Sequence, residues 1–320
     1  MPASAIIRRS SSWFGPARRA ARRWSPPCSR PRAGLERRGR PGRRPVTRLA
    51  LDGALVLAGA GRMGGALLAG WLERGLDPAQ LIVQDPSPPA EVCRLLKVHG
   101  IEARSALQPM MPPPAVLLVA VKPQVMDAVF PSLAALAGPQ TLVVSIAAGR
   151  KLSGFERHLV PGAAVIRAMP NTPAAVGLGM TVCVANTHVT PAQRATCELL
   201  LGAVGEVAWI DDEADMDAVT AVSGSGPAYV FLLAECLAEA AIEAGLSEPL
   251  ARKLARATVV GSGELLRRSA DDPAVLRQNV TSPGGTTAAA LSVLMGPGGL
   301  KELLAKAVAA AATRSRELGQ

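Results

Sequence analysis

Beyond an Arg- and Pro-rich start, the chain alternates short apolar runs with segments of helical period. Residues 54–58 form an apolar run that ends in Gly59-Ala60-Gly61-Arg62-Met63-Gly64, and a helical pattern continues to Gly75. This predicts a strand, a tight turn and a helix. Residues 81–83 read as a second strand ending at Asp85, 91–98 as a helix stopped by Gly100, and 115–121 as a fully buried strand ended by Lys122-Pro123. A helix over 124–137, strands over 141–146, 165–168 and 181–184, a helix over 191–203 and a strand over 207–210 continue the series. Such alternation implies a parallel sheet with helices on both faces.

The pattern changes at Asp211-Asp212-Glu213. From there the strand-like runs stop, and residues 229–244, 249–268 and 300–318 carry apolar side chains at helical spacing. The predicted organisation is an α/β chain: a doubly wound domain over 50–212, an all-helical domain over 213–320 and an extension over 1–49. Ser223-Gly224-Ser225-Gly226-Pro227 joins two helical segments and reads as a helix break. Helices faced so heavily by Ala and Leu suit either a self-associating surface or an intramolecular core.

Charge alters the picture only at the start of the chain. Residues 1–50 hold fourteen arginines, no lysine and one acid, Glu36, a balance of +13 within a total of +10, which leaves −3 for the remainder. A nucleic-acid-binding body is therefore not expected. The first 49 residues lack periodic apolar positions and are expected to stay disordered. They are Arg-rich and acid-poor like a transit peptide, but Pro26, Pro27, Pro31, Pro41 and Pro45 break any amphipathic helix, and a secretory apolar run is missing. The plain expectation is a non-functional extension translated from upstream of the true start.

Five cysteines, at positions 28, 93, 183, 197 and 236, form no CxxC pair, and His99, His158 and His188 have no ligand spacing, so neither a disulfide framework nor a metal site is expected. A reducing, cytoplasmic compartment fits. Residues 128–149 are the longest strongly apolar stretch, but Pro131, Gly138 and Pro139 interrupt it, and no membrane partner is expected.

The chemistry concentrates in a few loops. Gly59, Gly61 and Gly64 lie between a strand and a helix, the setting that makes this spacing a dinucleotide-binding signal of Rossmann type. The first permits the turn, the second lets a pyrophosphate approach the backbone and the third lets helix and strand pack, with Arg62 and Met63 between them. Asp85 lies 21 residues beyond Gly64, where an acid accepts from ribose hydroxyls and favours NADH; equally, it reads as the start of a turn before Pro86. Val121-Lys122-Pro123 and Met169-Pro170-Asn171 end later strands and converge with it on one crevice if the sheet is parallel. Thr281-Ser282-Pro283-Gly284-Gly285-Thr286-Thr287 precedes an Ala-rich helix, and its amides form either an anion-binding nest or an ordinary helix start.

These motifs together resemble the pyrroline-5-carboxylate reductase family over about residues 53–318. The resemblance rests most on Val222-Ser223-Gly224-Ser225-Gly226-Pro227-Ala228-Tyr229 and on Thr281–Thr287, with Val121-Lys122-Pro123-Gln124 and Arg167-Ala168-Met169-Pro170-Asn171-Thr172-Pro173 in agreement. It implies hydride transfer from NADPH or NADH to 1-pyrroline-5-carboxylate, giving L-proline. It also implies a homodimer formed by the helical domain, with larger rings of dimers in some relatives. Ser282, Gly284, Gly285, Thr286 and Thr287 are then expected to bind substrate, Thr287 near the ring nitrogen, and Met169, Pro170 and Asn171 to border the nicotinamide. Arg62 stands where relatives often have Asn, and Asp85 where many have small polar residues, so the choice between NADPH and NADH stays open. The rival reading is another imine or 3-hydroxyacid reductase of the same architecture, but no catalytic-lysine motif surrounds Lys253, Lys301 or Lys306.

Overall fold

The computed structural model describes residues 49–319, and the expectations for residues 1–48 lie outside them. In chain order the first part contains β1 (Leu55–Ala58), α1 (Arg62–Glu73), β2 (Leu81–Gln84), α2 (Ala90–Val98), β3 (Ala103–Arg104), β4 (Val116–Val119) and α3 (Met126–Ala134). It continues with β5 (Leu142–Ser145), α4 (Leu152–Glu156), β6 (Ala164–Met169), β7 (Gly179–Ala185), α5 (Pro191–Leu201) and β8 (Gly205–Trp209). Only helices follow: α6 (Met216–Val219), α7 (Gly226–Glu243), α8 (Glu248–Arg268), α9 (Pro273–Asn279), α10 (Thr286–Leu294) and α11 (Leu300–Leu318).

The eight strands form one sheet in the order β3-β2-β1-β4-β5-β6-β7-β8. The central strands β1, β4 and β5 are buried at every residue because helices cover both faces, as their uninterrupted apolar sequences require. Side chains alternate between two cores. Leu55, Leu57 and Leu118 pack with Leu67, Leu68 and Trp71 of α1 on one face; Val56, Leu117 and Val119 pack with Phe130 and Leu133 of α3 on the other. The Trp71 indole N–H donates to the Leu200 carbonyl at 2.8 Å and ties α1 to α5.

The observed fold corrects several expectations. The sheet is mixed, because β7 runs antiparallel to β6. The connection between them, residues 170–178, is too short to carry a crossover helix, and only a reversal closes it. Leu49, assigned to the extension, is buried in the first core, and its N–H donates to the Arg74 carbonyl. The strand expected over 115–121 ends at Val119, and Pro123 opens a 3-10 turn instead. The expected break at Ser223–Pro227 is a π turn over Thr220–Gly224 that feeds directly into α7. As a result, one helical run, Glu213–Glu243, has the length and mean hydropathy (1.3) of a membrane span. The sequence reading missed it because the glycines and Pro227 disguise its continuity.

The helical part differs in texture from the sheet. No residue of α7 or α10 is buried, and α8 buries only Ala251 and Ala255. Phe231, Leu233, Leu265 and Val293 face outward, the last at 75% exposure. An apolar surface of this extent marks a contact with another molecule.

Candidate active site

The strand order turns back on itself between β1 and β4, and ligands of doubly wound sheets bind at the carboxyl edge beside such a reversal. Gly59 follows β1 there at φ +92°, and a Cβ on it would stand 2.7 Å from the Ala120 carbonyl oxygen. A Cβ on Gly64 would run into the Gly59 carbonyl. Gly61, by contrast, has nothing within 4 Å of where its Cβ would be, so the turn is packed beneath and open above. Helix α1 starts at Arg62 with no side-chain cap and no acid in its first turn, which leaves the amides of Gly61, Arg62 and Met63 available to an anion. These features fit a dinucleotide pyrophosphate. A groove of about 300 Å³, lined by Gly61, Arg62, Gly65, Ala66, Glu91 and Val92, borders the same turn.

Asp85 stands beside this turn because β1 and β2 are paired in register, Ala58 opposite Gln84. Its Oδ2 accepts from the Ala60 N–H at 2.7 Å and its Oδ1 from the Ser87 N–H at 2.8 Å. Asp85 therefore starts the turn and also lies against the glycine loop.

Val121, Lys122 and Pro123 follow β4 on the same edge, with the Lys122 side chain exposed. Arg150 fastens this loop: its Nη2 donates to the Pro123 carbonyl at 2.8 Å and its Nη1 to Asp127 at 2.8 Å. Met169, Pro170 and Asn171 follow β6. The Asn171 Oδ1 accepts from the Met180 N–H at 2.9 Å, and its Nδ2 donates to the Ser223 hydroxyl at 3.2 Å. The reversal of β7 puts Met180 within reach. Gly224 sits against Met169, where a Cβ would stand 2.6 Å from the methionine methyl. The structure thus brings the π turn to the crevice, and Ser223 and Gly224 join the site from the helical part. Neither carries a titratable group, and the one signal for them was the family stretch over residues 222–229, which gave them no role of their own.

Glu213 is a second residue the sequence reading left out of the site. Its Oε1 accepts from the Leu152 N–H at 2.9 Å and from Arg167 Nη1 at 2.8 Å, and the Arg167 side chain is 6% exposed. This ion pair joins β6 to the first turn of the helical part.

The loop Thr281–Thr287 is not gathered into the crevice of its own chain. Gly284 takes φ +69° and the Gly285 N–H donates to the Ser282 carbonyl at 3.1 Å, which leaves uncapped amides at the start of α10. Ser282 and Gly284 are exposed, and Thr287 is half-buried. Among the described residues, no hydrogen bond ties this loop to the sheet, and α9 and α10 pack extensively on no other element.

Cys183 and Cys197 are buried side by side, and their hydrogen bond, followed by desolvation, raises the Cys197 thiol well above its ordinary value. It is packing rather than a nucleophile. Among the described residues, no three His, Cys, Asp or Glu side chains are grouped to hold a metal.

Residues 213–318 match the family model described as Pyrroline-5-carboxylate reductase dimerisation, and residues 54–149 the one described as NADP oxidoreductase coenzyme F420-dependent. The chain is 44% identical over 267 residues to the pyrroline-5-carboxylate reductase of Synechocystis, covering 83% of this chain and 98% of that one. It is 37% identical over 268 residues to that of Arabidopsis thaliana, covering 82% and 94%. Among solved structures, the Coxiella burnetii pyrroline-5-carboxylate reductase superposes with a TM-score of 0.78 at 34% identity, covering 84% of this chain and all (100%) of that one. The Plasmodium falciparum pyrroline carboxylate reductase with NADP bound gives 0.71 at 29% identity, covering 84% and 99%. This chain belongs to the pyrroline-5-carboxylate reductase family.

Proposed function

We propose that this protein reduces 1-pyrroline-5-carboxylate to L-proline at the crevice between β1 and β4, as an NAD(P)H-dependent oxidoreductase that works as an oligomer. The observation that carries this reading is the open glycine turn at the uncapped start of α1, combined with the family's own loops at Met169-Pro170-Asn171 and Thr281–Thr287. When bound, the reduced nicotinamide supplies the hydride that the imine carbon accepts.

The chain's residues do the rest by placement. The amides of Gly61, Arg62 and Met63, with Gly59 and Gly64 shaping the turn, would hold the pyrophosphate, and Asp85 the adenosine ribose. Val121, Lys122 and Pro123 would line one wall, and Met169, Pro170 and Asn171 the nicotinamide side. Ser282, Gly284, Gly285 and Thr286 would bind the substrate carboxylate, while the Thr287 hydroxyl would approach the ring nitrogen. A protonated cyclic imine is already electrophilic, so neutral donors that orient it suffice and no acid–base pair is required.

The loop Thr281–Thr287 faces solvent in a single chain, and the helices around it expose their apolar sides. We therefore place the working site in a homodimer built by the helical domain, residues 213–320, against the nucleotide domain, residues 50–212. The alternative assembly is a larger ring of such dimers. The ligands are small molecules rather than nucleic acid or membrane, and the compartment is the cytoplasm.

The test is the fall in reduced-nicotinamide absorbance when the purified protein meets 1-pyrroline-5-carboxylate, run in parallel with NADPH and NADH. Turnover with either is the expected result. Folded protein that binds dinucleotide yet shows no turnover would overturn the substrate assignment and favour another imine or carbonyl.

A further inference from the structure

We propose that Asp85 makes this protein an NADH-preferring member of its family, acting as a built-in anion that occupies the place a ribose 2′-phosphate would need. The proposal rests on the dinucleotide-binding reading above and concerns which dinucleotide is favoured.

The geometry is specific. A 2′-phosphate placed beyond the end of a second strand in this fold is held by donors: backbone amides of the following turn, hydroxyls and a nearby cation. Here Asp85 has already engaged two such donors, the Ser87 N–H at 2.8 Å and the Ala60 N–H of the glycine turn at 2.7 Å. Its own N–H donates to the Arg104 carbonyl at 2.9 Å, while the neighbouring Gly59 N–H donates to the Gln84 carbonyl at 2.7 Å. The carboxylate is therefore fixed at both oxygens, on a backbone fixed on both sides, and cannot swing aside for a second anion. Among the described residues, no lysine or arginine is ion-paired with it, so its charge is not cancelled locally. A ribose 2′-hydroxyl, by contrast, donates to a lone pair that the amides leave free, since each carboxylate oxygen accepts more than one bond. The same carboxylate thus welcomes NADH and repels NADPH at close range.

Two exposed arginines lie on adjoining elements, Arg62 at the start of α1 and Arg104 at the end of β3. They make the prediction sharper. Neither forms an ion pair with Asp85, and with the carboxylate removed both are available to a phosphate.

The test is equilibrium binding of NADH and NADPH to the full chain by titration calorimetry, for the unaltered protein, Asp85→Ser and Asp85→Asn, with substrate absent. NADH is expected to bind the unaltered protein at least tenfold more tightly than NADPH. Asp85→Ser is expected to erase or invert that ratio, and Asp85→Asn, which keeps an acceptor for the Ala60 amide, to reduce it while both dinucleotides still bind. Tighter NADPH binding by the unaltered protein would overturn the proposal. So would variants in which both affinities fall in parallel with the ratio unchanged, which is what a purely structural clamp would produce. Binding of neither dinucleotide by the folded, unaltered protein would overturn the nucleotide reading itself, and this one with it.

Discussion

The sheet half and the helical half of this chain are both rich in apolar residues, yet only the first has an inside. Trp71, Phe130 and Leu118 are sealed between sheet and helices, whereas Phe231, with 67% of its surface exposed, and its neighbours Leu232 and Leu233 on α7 are left largely uncovered by their own chain. The difference teaches that the sheet half closes its core within one chain and the helical half is part of a core that a second copy completes. It also separates what each half presents: the first shapes an open glycine turn from backbone packing, and the second carries the proposed substrate loop, Thr281–Thr287, away from its own sheet.

Trp71→Ala attacks the self-contained half directly. Losing a fully buried indole and its bond to the Leu200 carbonyl should cost about 3–5 kcal/mol and lower Tm by roughly 10 °C, read by calorimetry, with the oligomer unchanged. A smaller drop would mean that the sheet core repacks around the hole.

Phe231→Glu attacks the other half. Placing a charge on the unpartnered face should raise the dimer dissociation constant at least a hundredfold, about 2.7 kcal/mol, as seen by light scattering across a dilution series. Dinucleotide affinity should persist while turnover falls with the dimer. An unaltered oligomer would break the comparison.

Thr287→Ala tests the loop that the helical half holds away from the sheet. Removing the hydroxyl proposed to meet the substrate should lower kcat by roughly tenfold or more, with dinucleotide binding retained, the scale of a lost hydrogen bond to a charged group. Unchanged kinetics would remove Thr287 from the site.

Glu213→Gln has the smallest expected effect, on the order of 1–2 kcal/mol by denaturant titration. One neutral acceptor remains for the Leu152 N–H, but the 6%-exposed Arg167 loses its counter-charge. No change would mean that the seam between the halves is held by packing alone.

Much of this was legible before any coordinates. The run into Gly59-Ala60-Gly61-Arg62-Met63-Gly64 announced strand, turn and helix, because glycine at a positive φ and apolar periodicity are local properties. The strands and long helices emerged near their observed limits for the same reason. Harder to read were β3, α4 and α9, which are short, and the helical run through Ser223–Pro227, where the local signal of a break yields to packing around Met169.

What the sequence by itself determined was the identity of the elements, the glycine turn, the change of character after Glu213 and the family loops, all set by neighbours a few residues apart. Only the tertiary structure decided that β7 reverses, that Asn171 bridges Met180 and Ser223, that Glu213 meets Arg167 and that both oxygens of Asp85 are taken by amides. Each of those outcomes joins elements whose pairing depends on connection length and on which faces are already covered. No local pattern of residues encodes such a choice.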